Sequence, residues 1–213
     1  MKLVRIILKS NEKFENRDAE KLRGYFGRLF QENILFHNHK DDYNFNYDFS
    51  FIQYKVKNGE FLIVGIDKGG DLLEKIEDIR EIVIGDRKIE ITPEINISFP
   101  QLRVDDEKKY RYRFETIWLA LNDKNFLRYK VGEFDLNKQL ANNILEFFKM
   151  CGIRVEKRVE VVGEFQELKL RQKDTTILGF VGEFVTNAYL PDDISLGKRK
   201  SIGMGRIKRK GEV

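Results

Sequence analysis

The stretch FIQYKVKNGEFLIVGI, Phe51 to Ile66, reads as two β-rich runs joined at Asn58-Gly59. Asn-Gly is the dipeptide that most readily supplies the two positive-φ residues of a tight hairpin, so the runs are expected to pair as neighbouring antiparallel strands. Working outward, KLVRIIL at the N-terminus is a further strand. A helical period covers Arg17 to Phe30 after Asn16, a plausible cap, with Leu22, Phe26, Leu29 and Phe30 on one face. After the hairpin come Gly69-Gly70, a helical period in DLLEKIEDI, and strands around EIVIG and KIEITPEINIS. The resulting order, βαββαβ, is that of a ferredoxin-like unit.

A proline and a charge cluster in FPQLRVDDEKK, near Phe99 to Glu107, mark a domain boundary. Beyond it YRYRFETIWLAL reads as a strand and LNKQLANNILEFFKMCG as an amphipathic helix closed by Gly152, followed by strands in IRVEKRVEVV, EFQELKLRQ and TILGFVGEFVTNAYL. The expectation is an α+β protein of two tandem ferredoxin-like domains, residues 1–100 and 107–213. The second is incomplete and ends in a glycine-rich loop. The tetrapeptide VGEF recurs at Val131, Val162 and Val181 at unequal intervals, so it is turn chemistry rather than a repeat.

The bulk numbers exclude several classes. With 213 residues the chain is long enough to bury real cores. A single cysteine, Cys151, rules out a disulfide framework or a cysteine-based zinc site. No apolar run is long enough to cross a bilayer, and the N-terminal run, broken by Arg5, does not read as a signal peptide, so a cytoplasmic location is expected. The net charge of +4 is unevenly placed. KRKSIGMGRIKRK holds Lys198, Arg199, Lys200, Arg206, Lys208, Arg209 and Lys210 and no acid; without these seven, 32 basic residues face 35 acidic ones. A glycine-interrupted basic stripe suits a phosphate backbone, although a bare Lys/Arg run is more often a solvated tail. Within ISLGKRKSIGMGRIK, Gly197, Gly203 and Gly205 would let backbone amides face an anion while Lys198, Arg199, Lys200 and Arg206 supply charge. The Gly-Lys-Ser/Thr ending of a nucleotide-binding P-loop is missing.

Both histidines of the chain, His37 and His39, lie in LFHNHKDD. Such a pair can exchange protons near neutrality, ligate a metal with Asp41 or Asp42, or simply decorate the surface. In an extended segment, side chains at i and i+2 point the same way, about 6.6 Å apart at Cα, and two imidazoles could flank one phosphate. On a helix they would diverge.

The succession LRGYFGRLF (Leu22 to Phe30), LFHNH, FIQYKV (Phe51 to Val56) and LIVGI, closed by the glycine-rich basic loop, resembles the repeat-RNA processing endoribonucleases of CRISPR systems. The resemblance is to the subtype with a His-x-His pair after the first helix. It implies cleavage of CRISPR precursor RNA within each repeat, with no metal or other cofactor, leaving 2′,3′-cyclic phosphate and 5′-hydroxyl ends. His37 and His39 would share the acid and base roles, with Arg28 as transition-state cation and Tyr47, or its neighbour Tyr43, donating a hydrogen bond or stacking a base. Lys55, which faces RNA or solvent on this reading, stays outside the catalytic set. CRISPR repeat RNA is the expected partner. A homodimer formed through sheet edges and a CRISPR effector complex are further expected assemblies, with no membrane involved. A non-catalytic RNA-binding subunit and a metal-dependent nuclease are the competing readings.

Overall fold

The structure is a computed structural model that describes residues 1–33, 35, 39–41, 44–45, 49–76, 78–172 and 175–213. It divides into two compact units, Met1–Pro100 with Ser201–Gly203, and Gln101–Lys200 with Met204–Val213.

The first unit begins with β1 (Leu3–Lys9) and α1 (Asp18–Leu29). A short antiparallel pair, β2 (His39–Asp41) with β3 (Asn44–Phe45), precedes the hairpin of β4 (Ile52–Lys57) and β5 (Glu60–Ile66). Asn58 and Gly59 take φ of 54° and 78°, the left-handed pair that the hairpin requires. Next come α2 (Lys68–Leu73), a small separate hairpin of β6 (Glu81–Ile84) with β7 (Arg87–Glu90), and β8 (Thr92–Ser98). The main sheet runs β4-β5-β1-β8 and is antiparallel throughout. The first and third core strands are its central pair, the ferredoxin-like order.

The core forms where α1 lays Leu22 and Phe26 against Val4, Ile6, Tyr54 and Ile63. Leu29, expected on the same face, is 48% exposed because the helix ends there. Asn16 does not cap α1 with its side chain. The helix starts after Arg17 without a side-chain cap, and the Asp18 carboxylate instead accepts from the Glu15 amide at 3.0 Å. The run read as one strand from Lys88 to Ser98 is broken at Ile91, whose amide donates to the Arg80 carbonyl.

In the second unit β9 (Arg103–Val104) precedes β10 (Tyr110–Phe114), then α3 (Asp123–Lys130), α4 (Leu136–Met150), β11 (Val161–Gln172), β12 (Thr175–Thr186), β13 (Ala188–Tyr189) and β14 (Ile207–Glu212). The main sheet runs β11-β12-β10-β14, the same order as the first, and β13 pairs with β9. α4 is capped by Asp135, which accepts from the Lys138 amide, and ends at Gly152 with φ +69°. Its inner face meets Trp118, which is stacked on Phe114 at 5.3 Å and donates to Asn143 Oδ1 at 3.1 Å.

Several segments of the second unit differ from the sequence reading: YRYRFETIWLAL is strand only over Tyr110–Phe114, and α3 has no counterpart in that reading. Residues 153–160 are irregular, so IRVEKRVEVV contributes only the start of β11. The missing strand is β14, in the segment read as a basic loop: after buried Ile207 every residue is exposed, and alternation is absent because only pairing with β10 holds it. Ferredoxin-like strand order recurs in both units, and the segment between β13 and β14 stands where a second helix would, as a glycine-rich loop with one 3₁₀ turn, Lys200–Ile202.

Candidate functional site

His37, Tyr43 and Tyr47 lie outside the described residues. His39 opens β2, paired with Phe45 of β3, so its own backbone is extended. Arg28 occupies the exposed last turn of α1, where a cation complements the helix dipole.

Lys55 departs from expectation. It is 1% exposed, on a strand buried on both faces, and its ammonium donates to the equally buried Gln53 at 2.6 Å. It faces neither solvent nor an open groove. The carbonyl of Tyr54 and the backbone of Lys55 lie so near Gly203 that a Cβ there would approach them to 3.0 and 3.3 Å. Arg23 of α1 donates to Ser201 Oγ at 3.2 Å within the same unit. Residues Ser201–Gly203 are thus seated by backbone proximity and by the Arg23–Ser201 bond.

The rest of the glycine-rich loop belongs to the second unit and sorts its basic residues into two kinds. Arg206 is buried and its Nη1 donates to Asp193 Oδ1 at 3.2 Å, both side chains being at most 10% exposed. Lys200 pairs with Glu146 of α4 and is mostly covered. Lys198 and Arg199 are exposed, as are Lys208, Arg209 and Lys210 on β14. Charge in this run is therefore partly structural and partly presented to solvent. Sequence alone could not separate the two kinds, since Asp193 and Glu146 lie outside the run.

The glycines also have steric work. At Gly205, φ +67°, a Cβ would stand 2.1 Å from the Leu196 carbonyl oxygen, and its amide already donates to the Ile117 carbonyl at 2.8 Å. At Gly197 a Cβ would meet the Trp118 indole at 2.7 Å. The amides of Leu196, Lys198, Met204 and Arg206 are likewise bonded within the fold. The glycines accordingly permit close approach of the chain to itself, and the Gly205 amide is not a free anion donor.

Sequence reasoning missed a cluster in the second unit. Arg103 lies over the ring of Tyr189 at 4.4 Å, and Arg209 lies over the same ring at 5.0 Å. The three residues lie on three separate strands, so no local sequence signal marks them.

Residues 1–98 match the Cas6b N-terminal domain and residues 104–210 the Cas6b C-terminal domain. A crystal structure of Cas6b superposes with a TM-score of 0.86 at 29% identity over 97% of this chain and 99% of that one. A second, described as CRISPR RNA processing endoribonuclease Cas6b, does so with a TM-score of 0.70 at 26% identity over 98% and 100%. An uncharacterized protein of Methanocaldococcus jannaschii is 30% identical over 143 residues, 61% of this chain and 97% of its own length. Two family domains that match in order across nearly all of a chain with the ferredoxin-like order in both units agree with the resemblance carried by its motifs: the chain belongs to the Cas6b family.

Proposed function

We propose that this chain is an endoribonuclease that cuts CRISPR precursor RNA within its repeats, without a metal, and leaves 2′,3′-cyclic phosphate and 5′-hydroxyl ends. The observation that carries the reading is the His-x-His pair directly after α1 in a chain that matches both Cas6b domains. In this reaction a ribose 2′-oxygen attacks its own phosphorus, its proton leaves to a base, and the departing 5′-oxygen receives a proton from an acid. No water is consumed. His37 and His39 take those two roles, and Arg28 and Tyr47 stabilise charge on the phosphate. Lys198 and Arg199 guide the RNA, Gly197, Gly203 and Gly205 give the loop the shape that presents them, and Lys200 and Arg206 tie it down. Repeat RNA is the substrate, and a homodimer and a CRISPR effector complex are the assemblies that this role suits.

Cleavage of the cognate repeat by His37→Ala and His39→Ala variants tests the reading. Each is expected to lose ~10²–10⁴-fold in rate with binding retained. Activity should persist in EDTA, and a single 2′-deoxy at the scissile nucleotide should bind uncut. Full-rate cleavage by the double variant overturns the proposal. Loss in EDTA restored by a divalent ion replaces it with a metal-dependent mechanism.

A further inference from the structure

Tyr189, on β13, is flanked by two guanidiniums that come from distant parts of the second unit, Arg103 of β9 and Arg209 of β14. Arg103 is held in place. Its Nε donates to Asp105 at 3.0 Å and its Nη2 to the Tyr110 hydroxyl at 2.7 Å, while that hydroxyl donates to Asp105. A guanidinium has five N–H donors, so the edge turned away from Asp105 and Tyr110 keeps donors for a ligand. The side chain is 42% exposed. Arg209 is exposed on the last strand of the sheet, and the Asp192 carboxylate accepts from its backbone amide at 2.7 Å. Lys208 stands opposite Arg113 on the other face of the sheet from Arg209, where Glu183 of β12 faces Arg113 in turn, so that pair lies outside the cluster. Lys210 adds another exposed cation, against Glu212 at the strand end. Even with these acids included, the cations remain in excess.

We propose that Arg103, Tyr189 and Arg209 form a subsite for single-stranded RNA outside the scissile nucleotide, rather than only a structural stack. The argument is chemical. Arginine recognises phosphate through paired N–H donors, which suits Arg103, set over both the Tyr189 and Tyr110 rings, while the Arg209 guanidinium on Tyr189 offers its outer face for a base to stack on. Preorganisation by Asp105, Tyr110 and Tyr189 removes the entropy that a free arginine would lose on binding. β14 follows the glycine-rich loop along the chain, and because side chains alternate on a strand Arg209, not Lys208, lies on the side of Tyr112 and Tyr189. Because every base has a π-face, this subsite is tolerant of sequence and contributes grip rather than selection. The inference rests on the proposed RNA-processing function.

The test uses the full chain, the variants Arg209→Gln and Arg103→Gln singly and together, and repeat RNAs shortened one nucleotide at a time from each end. Wild type should show a step loss of affinity at one truncation. The double variant should bind the long RNA about 10-fold more weakly, lose that step, and show a log K against log salt slope shallower by roughly 0.7 per phosphate no longer neutralised. Single-turnover cleavage at saturating RNA should be unchanged. Arg209→Gln alone, which breaks no side-chain hydrogen bond to Asp105 or Tyr110 and loses only its contact with the Tyr189 ring, should melt within a few degrees of wild type and show part of the same loss. If both variants bind every RNA as wild type does, or lose affinity equally for all truncations, the subsite is overturned while the enzyme reading stands. Failure of wild type itself to cut repeat RNA overturns the parent reading instead.

Discussion

Arg206 Nη1 meets Asp193 Oδ1 at 3.2 Å with neither side chain more than 10% exposed. A buried ion pair stabilises little relative to apolar residues of the same size, but removing one partner strands the other charge away from water. Arg206→Met should therefore destabilise the chain by about 3–5 kcal/mol, and adding Asp193→Asn, which removes the stranded charge and tolerates the left-handed φ of 68°, should restore part of that. Urea unfolding of the single and double variants checks this. An unaffected single variant would mean that Asp193 finds water or another cation.

Gly205 answers to its neighbour's carbonyl. Gly205→Ala would set a methyl 2.1 Å from the Leu196 carbonyl oxygen, against backbone that cannot move aside cheaply, in addition to the ~1–2 kcal/mol for placing a Cβ at positive φ. Gly152→Ala has the same kind of φ, +69°, with nothing within 4 Å. The first variant should melt far below wild type and the second only slightly below. Equal melting temperatures would show that the loop shifts freely.

Strand order was legible where local chemistry agreed with the tertiary fold. Asn58-Gly59 encodes its own turn, and the apolar period of Leu136–Met150 closed by Gly152 encodes α4. β14 was not legible because its strand character comes from β10: Lys208 to Glu212 are exposed throughout, so no period of two marks them. Lys55 misled for the related reason that a charged residue between apolar ones looks like an outer face, whereas both faces of β4 are covered. Within the basic run, Lys198 and Arg206 look alike in composition; only the position of Asp193, thirteen residues before Arg206, separates a solvent cation from a buried pair. The His-x-His pair is a reading of the sequence alone, from its place after α1, since His37 lies outside the described residues.

Asp18 makes acid stability partly local to α1. Burial pushes its carboxyl up, but the Lys21 ammonium at 2.9 Å, the Glu15 amide and the Arg17 charge outweigh burial and hold it below its ordinary 3.8. A lowered folded-state value means stability that is present above the ordinary value and lost as pH falls through the folded one. Asp18→Asn should cost about 1 kcal/mol near neutrality, with the difference from wild type fading below roughly pH 4. Denaturant midpoints across that range measure it. A difference that grows in acid would contradict the assignment.

The division of the loop's cations gives a prediction that composition alone would not make. Lys198 and Arg199 face solvent, whereas Lys200 is tied to Glu146 and Arg206 to Asp193. If RNA is guided by the exposed pair, Lys198→Gln with Arg199→Gln should weaken binding and flatten the dependence of log K on log salt by roughly 0.7 for each phosphate left without its cation. Its melting temperature should stay at the wild-type value, since neither side chain is covered. Lys200→Gln should do the opposite, lowering the melting temperature while leaving the salt slope near wild type, because its ammonium is already matched by a carboxylate. Titrating repeat RNA against the two variants at several salt concentrations, with melting curves alongside, separates the roles. Should the slopes respond equally to both substitutions, the Lys200–Glu146 pair opens to bind RNA; should neither respond, the RNA path leaves the glycine-rich loop and follows the cations of β14 alone.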